Sequence, residues 1–313
     1  MNSELPANLE RHEKMKRING IIVPMITPLT SAYELDLTGL EKLVDYLIAG
    51  GCGGLFPLGT TGGGPFYSMG KQQEINRAVC RFSAGRLPVL TGVSSASPED
   101  SIRLGLAAKE AGASAVVAAP PCYLKLTDSE VLDFYRLLTK EIGLDVFVYN
   151  MPGMTKIDLR PELLMKLAEI PGICGYKDSS NDMNALHQVL LALKNKADFP
   201  IYVGPESLMV ENVMFGGAGG VSAGANLYPD VYVNGYRAMC DGNLKEMLRW
   251  QKKIDTIQKI YSVHPGFNSV AMGLKTGLKL KGICGNAVLP PLAQPTPECE
   301  EKIAQIMRQV DAI

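Results

Sequence analysis

A lysine near the end of an apolar run is the first residue of this sequence whose surroundings suggest reactivity. The stretch GICGYKDSS (172–180) has the composition of a buried strand, and Lys177 lies near its end. Burial disfavours the charged form of an amine, so a lysine among apolar neighbours can act as a free amine that attacks a ketone and forms a Schiff base. A structural lysine in an ion pair, for example with Asp178, fits the same stretch, and composition alone does not choose between the two.

Two further groups with chemical potential also follow apolar runs. The glycine-rich turn GTTGGG (59–64) and its hydroxyls at Thr60 and Thr61 can bind an anion such as a carboxylate or a phosphate, although a flexible loop has the same composition. Tyr149 ends the run DVFVYN (145–150), where its phenol can donate or accept a proton, but an ordinary amphipathic tyrosine also suits that position. These groups form one site only in a fold that brings several strand ends together.

Eight short apolar runs alternate with longer segments of helical periodicity. The intervals leave room for one crossover helix each, and the runs are apolar on both faces, as in parallel strands that are covered by helices. The runs are 21–28, 53–59, 88–94, 115–121, 145–150, 173–179, 200–206 and 219–226. This pattern predicts the α/β class and a closed (β/α)₈ TIM barrel rather than an open doubly wound sheet. In such a barrel the reactive groups lie at the C-terminal strand ends, and Lys177 and Tyr149 would lie on neighbouring strands about 4.8 Å apart.

Start signals mark several of the predicted helices. Thr38 with Glu41, and Thr127 with Glu130, have the spacing of a capping box, while Ser97 precedes a proline at the first helical position. After about residue 240 the strand signals end, and three helices are predicted at 243–260, 267–281 and 297–312. The predicted organisation is an N-terminal extension (1–19), a TIM barrel (20–240) and a C-terminal helical domain (241–313).

Composition and charge narrow the class of partner. Of 313 residues, 46% are hydrophobic, and the 31 basic and 32 acidic residues are scattered without blocks, which argues against nucleic acid or an anionic membrane as a partner and favours a small molecule. Seven widely spaced cysteines without a C-x-x-C pair predict a reducing cytoplasm. The sequence has neither a signal-peptide pattern at its start nor an apolar run of membrane-spanning length, so a soluble protein is expected.

Five motifs make the chain similar to one known family. GTTGGG, APPCY, YNMPGMT, GYKDSS and GGAGGVSAGAN stand in the order and spacing of the dihydrodipicolinate synthase and N-acetylneuraminate lyase family, and the resemblance runs from about residue 20 to the C-terminus. It implies a class I aldolase that forms an imine with pyruvate, or with the pyruvate half of a longer 2-oxo acid. It also implies that no metal or other cofactor is needed and that the chain forms a homotetramer built as a pair of dimers.

The resemblance assigns roles to residues within these motifs. Lys177 is implied to be the imine-forming nucleophile, and Tyr149 the group that exchanges a proton with the aldol oxygen. An imine nitrogen withdraws electrons, so the adjacent carbon can lose a proton, or a C–C bond can break. Thr60 is implied to relay protons to Tyr149 and, with Thr61, to hold the pyruvate carboxylate. Tyr123 is implied to enter the site from a neighbouring subunit, and the main chain of Val221 to line the pyruvate site.

Departures from the family pattern bear on the substrate. Met154 stands where the synthase branch has an arginine that grips the carboxylate of aspartate semialdehyde, and Gly63 replaces the glutamate of the common GTTGE pattern. Ser179 and Glu206 match positions that face the distal part of the substrate in lyase relatives, where they could bind sugar hydroxyls. An alternative role for Glu206 is an acid at a helix N-terminus.

These residues predict an aldolase or lyase that reversibly cleaves a 2-oxo-3-deoxy sugar acid, or a related hydroxylated 2-oxo acid, to pyruvate and an aldehyde. The alternatives are 4-hydroxy-tetrahydrodipicolinate synthase, an imine-dependent dehydratase of the same family, and a non-catalytic module that binds a 2-oxo acid. Presence of the lysine, the tyrosine and both threonines argues against the last. The histidines at 12, 187 and 264 have no metal-ligand spacing, which argues against a metal-dependent class II aldolase. The sequence leaves open which aldehyde is used and in which direction the reaction runs.

Overall fold

The strands form one parallel sheet that closes on itself. The computed structural model describes residues 18–196, 198–264, 266 and 269–313; His12 and all but the last two residues of the predicted N-terminal extension lie outside these ranges. The strands are β1 Gly20–Pro24, β2 Gly54–Phe56, β3 Leu90–Gly92, β4 Ala115–Ala118, β5 Val146–Asn150, β6 Ile173–Asp178, β7 Ile201–Val203 and β8 Gly219–Val221. Each overlaps one predicted run and is shorter than it, because the ends of the runs turn out of the sheet into loops.

The sheet order is β2-β1-β8-β7-β6-β5-β4-β3, and every neighbouring pair is parallel. The two outer strands meet through a bridge between Leu55 and Val89, where the Leu55 N–H donates to Pro88 O at 3.0 Å. This contact joins β2 to β3 and closes the barrel, so the predicted (β/α)₈ fold is confirmed.

Helices surround the barrel and continue beyond it. Those of the barrel region are α1 Leu37–Ala49, α2 Met69–Ser83, α3 Pro98–Glu110, α4 Asp128–Ile142, α5 Pro152–Thr155, α6 Pro161–Leu167, α7 Met183–Leu193, α8 Met209–Met214 and α9 Pro229–Cys240. The C-terminal helical region holds α10 Leu244–Gln258, α11 Ser269–Leu280 and α12 Pro297–Asp311, which match the three predicted segments. Among the described residues, no helix is both long and apolar enough to cross a membrane.

Two of the three predicted helix starts are confirmed. Ser97 caps α3, and Thr127 forms a capping box with Glu130 at the start of α4. The prediction for Thr38 is wrong, because α1 begins at Leu37 and its N-cap is Asp36, whose carboxylate accepts the Gly39 N–H at 2.9 Å. Aspartate is at least as good an N-cap as threonine, and Asp36 already has the extended backbone that this position requires.

Alternate residues of each strand face two different cores. The outward residues pack against the helices in a large apolar layer, whereas the inward residues fill the barrel itself. Phe56, Phe147 and Tyr202 are large inward side chains, and all three are buried. A filled interior gives the C-terminal end of the barrel a solid apolar floor.

A buried carboxylate ties the C-terminal end of the barrel to the helical region. Glu206, directly after β7, accepts hydrogen bonds from Gly224 N at 2.8 Å, from Tyr232 OH at 2.6 Å and from Tyr261 OH at 3.0 Å. These donors belong to the turn after β8, to α9 and to the 3₁₀ turn that follows α10. Burial raises the pKa of Glu206, and the hydrogen bonds from these donors oppose that rise.

We expect Glu206→Ala to lower the free energy of unfolding by about 3 kcal/mol, because it leaves buried hydroxyl and amide donors without an acceptor. Urea denaturation measures this change. Glu298→Ala, which removes an exposed carboxylate that pairs with Lys302, is the matched control and should stay within about 0.5 kcal/mol. An unchanged unfolding free energy together with a raised KM for substrate would contradict a structural role for Glu206.

Candidate active site

Lys177 and Tyr149 lie directly opposite each other at the ends of β6 and β5. The Lys177 Nζ is 3.7 Å from the centre of the Tyr149 ring and 5.4 Å from that of Phe56. Both side chains are buried, with only 7% of Lys177 exposed. Within the described part of the chain no carboxylate forms an ion pair with Lys177, and Asp178, the alternative partner, is bonded elsewhere. The structure thus favours the reactive lysine over the ion-paired one.

The phenol of Tyr149 is held by several polar groups. Its OH lies 3.2 Å from Thr60 Oγ1, and the side chains of Lys177 and Ser179 also lower its pKa. Burial by itself raises the pKa of Tyr149, but the nearby Lys177 charge and these hydrogen bonds outweigh it, so the pKa lies below the usual value for tyrosine. A phenol of this kind gives up its proton more readily and suits a group that acts in turn as base and acid.

The threonine turn is fixed by close backbone packing. Leu58 has a positive φ of 61°, and its carbonyl lies so close to Gly64 and Gly92 that a side chain at either glycine would collide with it. On the other side Thr27 Oγ1 donates to Gly62 O at 2.8 Å. The turn is therefore held between β1 and β3, and it presents Thr60 to Tyr149.

Thr61 and Gly63 are the other two predicted site residues of this turn. Thr61 is half-buried, as Thr60 is. Gly63 has a positive φ of 72° and caps the short 3₁₀ turn Gly64–Phe66. A glutamate at position 63 would have to adopt this left-handed conformation, which glycine adopts without strain.

Ser179 and Val221 complete the arrangement around Lys177. The Ser179 N–H donates to Asn150 O at 2.8 Å, and its hydroxyl lies against Gly204, where a side chain would displace it. Val221 ends β8 and lines the barrel interior together with Lys177. The structure therefore brings together Lys177, Tyr149, Thr60, Ser179 and Val221.

Three predicted site residues are not packed against this cluster within one chain. Tyr123 is 96% exposed and has a positive φ of 82°, so it projects away from its own barrel. Met154 is 44% exposed in α5, the short helix that follows β5. Glu206 is bonded to the protein's own donors. Its role in binding substrate stays a prediction, as do the roles of Tyr123 and Met154.

A cleft of about 530 Å³ lies at the N-terminal end of the barrel, opposite the end that holds Lys177 and Tyr149. Its lining includes residues that precede strands, such as Ile18, Gly53 and Pro88. Among the lining residues that the structure describes, Cys80 is the one that titrates, and burial raises its pKa to about 11. This cleft has a volume suited to a ligand, but the described residues that line it include no pair of groups arranged for acid–base or nucleophilic chemistry.

Sequence reasoning missed the polar pair that directly follows the lysine and the tyrosine. Asn150 Nδ2 donates to Asp178 Oδ1 at 3.0 Å, and both residues are buried. The available signal was the occurrence of two polar residues at neighbouring strand ends, each directly after a candidate catalytic residue.

The chain resembles curated proteins and solved structures over nearly all of its length. It is 31% identical to the probable 2-dehydro-3-deoxy-D-pentonate aldolase YjhH of Escherichia coli, over 92% of this chain and 96% of the relative. It matches the structure of dihydrodipicolinate synthase from Bacteroides thetaiotaomicron with a TM-score of 0.90 and 39% identity, over 94% of this chain and 99% of the other.

A third similar protein was solved with a bound 2-oxo acid. The crystal structure of YagE, a prophage protein from Escherichia coli K12 in complex with pyruvate, matches with a TM-score of 0.89 and 26% identity, over 94% of this chain and 99% of the other. The model of the dihydrodipicolinate synthetase family matches residues 17–310. The chain therefore belongs to the dihydrodipicolinate synthetase family, and it is an enzyme of the Schiff-base lyase and aldolase type found in that family.

Proposed function

We propose that this protein reversibly cleaves a 2-oxo-3-deoxy sugar acid, or a related hydroxylated 2-oxo acid, to pyruvate and an aldehyde. The observation that carries the proposal is the buried Lys177 amine 3.7 Å from the Tyr149 ring, with no carboxylate of the described residues paired to it. The similarity to YjhH, named as a pentonate aldolase, and to pyruvate-bound YagE supports the same chemistry.

The reaction begins with imine formation. The Lys177 amine attacks the C2 carbonyl of the 2-oxo acid, and loss of water leaves a protonated imine. Thr60 and Thr61 hold the carboxylate at C1 through hydroxyl and main-chain N–H groups, and the main chain of Val221 lines the other side. A fixed carboxylate keeps C2 within reach of the amine, which is the main advantage of an enclosed site.

Cleavage then depends on Tyr149. Its phenolate takes the proton from the C4 hydroxyl, the C3–C4 bond breaks, and the bonding electrons move into the imine to form an enamine while the aldehyde leaves. Thr60, whose hydroxyl lies 3.2 Å from the Tyr149 OH, relays protons to and from this phenol. The enamine takes up a proton at C3, and water hydrolyses the resulting pyruvate imine to release pyruvate and the free lysine.

A second candidate is 4-hydroxy-tetrahydrodipicolinate synthase, because the 39% identical structure from Bacteroides thetaiotaomicron is a dihydrodipicolinate synthase. Met154 and Gly63 favour the sugar-acid substrate. A thioether offers no bidentate partner for a second carboxylate, and glycine leaves an uncharged space beside the threonines. A substrate hydroxyl could hydrogen-bond to Ser179, which lies directly after β6.

The proposal includes a cytoplasmic homotetramer built as a pair of dimers. All seven cysteines are free, as is usual in a reducing compartment. The exposed Tyr123 supports the assembly, because a tyrosine that is 96% exposed in one chain and held at a positive φ is suited to contact a second copy.

Among a panel of 2-oxo acids, we expect hydroxylated 2-oxo-3-deoxy acids to release pyruvate, since their C4 hydroxyl is the group that Tyr149 deprotonates. Pyruvate can be measured with a coupled dehydrogenase assay. Lys177→Ala is the control and should release none. The sugar-acid proposal is wrong if no member of the panel is cleaved while pyruvate and aspartate semialdehyde are condensed.

Tyr149→Phe should keep the ability to form the imine with pyruvate but slow turnover by about 10²-fold or more, the usual contribution of a positioned acid or base. Steady-state kinetics and borohydride trapping measure the two steps separately. Tyr33→Phe, at an exposed position, is the matched control. Normal turnover in Tyr149→Phe would remove this phenol from the mechanism.

Met154→Arg should shift the preference for the acceptor toward aspartate semialdehyde by about 10-fold or more in kcat/KM, because an arginine fork can bind its carboxylate. The measurement is a competition between aspartate semialdehyde and glyceraldehyde, each condensed with pyruvate. Met165→Arg, at an exposed position of α6, adds the same charge elsewhere and should leave the ratio unchanged. A wild type that already prefers aspartate semialdehyde would favour the synthase instead.

Tyr123→Phe and Lys177→Ala should each be nearly inactive, yet a co-refolded equal mixture should regain about a quarter of wild-type activity. In a two-fold symmetric dimer, half of the dimers are mixed, and one site of each mixed dimer pairs an intact Lys177 with an intact Tyr123 of the partner subunit. Sedimentation checks that the mixture is oligomeric. No recovery in a mixed oligomer would show that Tyr123 does not act across the interface.

A further inference from the structure

The pairing of β5 with β6 contains an irregularity just before the reactive residues. Val146 is paired with Ile173, but Phe147 is paired with Gly175, so Cys174 is an extra residue of β6. Such a bulge changes which side chains of the two strands share a face. All later pairs, including Tyr149 with Lys177, follow the shifted register.

The shifted register is what puts the lysine and the tyrosine on the same face. Continued without the extra residue, the pairing would place Tyr149 opposite Tyr176, which packs in the outer core. Lys177 would then be paired with Asn150. Because side chains alternate along a strand, a slip of one residue exchanges the inward and outward sets. The reactive pair therefore depends on this register being kept up to the strand ends.

A buried polar pair lies at those ends, on the opposite face from the reactive pair. Asn150 is paired with Asp178 in the register, and its Nδ2 donates to Asp178 Oδ1 at 3.0 Å. The same oxygen accepts from Tyr176 OH at 2.9 Å, and Oδ2 accepts from Ser180 Oγ at 2.9 Å. The carboxylate is thus held by its own strand and joined to the neighbouring strand through Asn150.

We propose that Asn150 and Asp178 are a positioning pair, whose hydrogen bond holds the shifted register of β5 and β6 and so keeps Lys177 against Tyr149. Neither residue touches the substrate. The inference concerns how the reactive pair is placed, and it rests on the proposed function only for its kinetic consequences.

The chemistry of the pair suits this role better than a contribution to stability alone. Burial raises the pKa of Asp178, against hydrogen bonds from Ser180, Tyr176 and Asn150, so the carboxyl group is costly at this position. Apolar side chains at positions 150 and 178 would avoid that cost. They would not select one register, however, because apolar packing is not directional and would be almost as good if β5 slipped by one residue along β6. A directional hydrogen bond between Asn150 and Asp178 forms in one register only.

Asn150 also anchors the segment that carries Met154. Its Oδ1 accepts the Leu159 N–H at 3.0 Å, and its Nδ2 lies 3.3 Å from Asp158 Oδ1. One side chain therefore closes the loop 151–158 onto the end of β5. The same pair consequently positions both the reactive residues and the segment on which substrate choice is proposed to depend.

The test compares variants that break the bond with one that restores it. Asn150→Leu removes the bond without adding charge, while the double variant Asn150→Asp with Asp178→Asn exchanges donor and acceptor at unchanged net charge. Ser180→Ala is the matched control, since it removes a bond to the same carboxylate that does not join the two strands.

The first readout is independent of activity. Alkaline absorbance titration follows the phenol that ionises at the lowest pH, which is assigned by its loss in Tyr149→Phe. Its pKa is lowered by Lys177, Thr60 and Ser179. We expect the titration to move to higher pH in Asn150→Leu and to return toward the wild-type position in the double variant, with Ser180→Ala like wild type. If the phenol of Asn150→Leu titrates at the same pH as that of the wild type, the proposal is overturned.

The second readout separates positioning from binding. Turnover in pyruvate release should fall about 100-fold in Asn150→Leu, the effect of a misplacement of about 1 Å, with KM changed by less than about 3-fold, and the double variant should recover at least 10-fold. If Asn150→Leu does not fold, recovery of both readouts in the double variant decides the question, and no recovery overturns the proposal. A wild type that cleaves no 2-oxo acid would defeat the proposed function, whereas the phenol titration would still test the register.

Discussion

The contact between the Lys177 amine and the Tyr149 ring constrains the whole C-terminal end of the barrel. An amine can be buried without a carboxylate partner only where its neighbours lower the cost, and here the face of one aromatic ring lies 3.7 Å away with a second at 5.4 Å. The same proximity lowers the pKa of the phenol. Lys177 thereby makes the phenol a better proton donor, so the distance between them has to be kept.

The surroundings of this contact keep that distance from three sides. Below it, Phe56, Phe147 and Tyr202 fill the barrel, so the lysine side chain cannot move deeper into the interior. Beside it, Gly64 and Gly92 have no side chains, so the Leu58 carbonyl can pack closely against both and fix the turn that carries Thr60. Behind it, the side chains of β5 and β6 are locked in one register. The site is accordingly built from strand ends and short turns, which hold side chains more tightly than long loops do.

Much of this could be predicted from the sequence, because it follows from local patterns. The eight apolar runs predict the barrel, and the position of Lys177 and Tyr149 at the ends of two successive runs predicts that they meet. The helix start at Thr38 was mispredicted because Asp36, two residues earlier, is an equally good cap, and spacing alone does not rank the two. The register shift at Cys174 and the bonds of Glu206 depend on contacts between distant segments, and no local pattern encodes them.

The proposed mechanism requires Lys177 to form a covalent imine with a 2-oxo acid. Incubation of the intact protein with pyruvate and borohydride, followed by mass spectrometry of the chain and its peptides, tests this. We expect one pyruvate-derived adduct per chain, mapped to Lys177 and lost in Lys177→Ala. A wild type that traps no adduct, or an adduct that persists in Lys177→Ala, would contradict it.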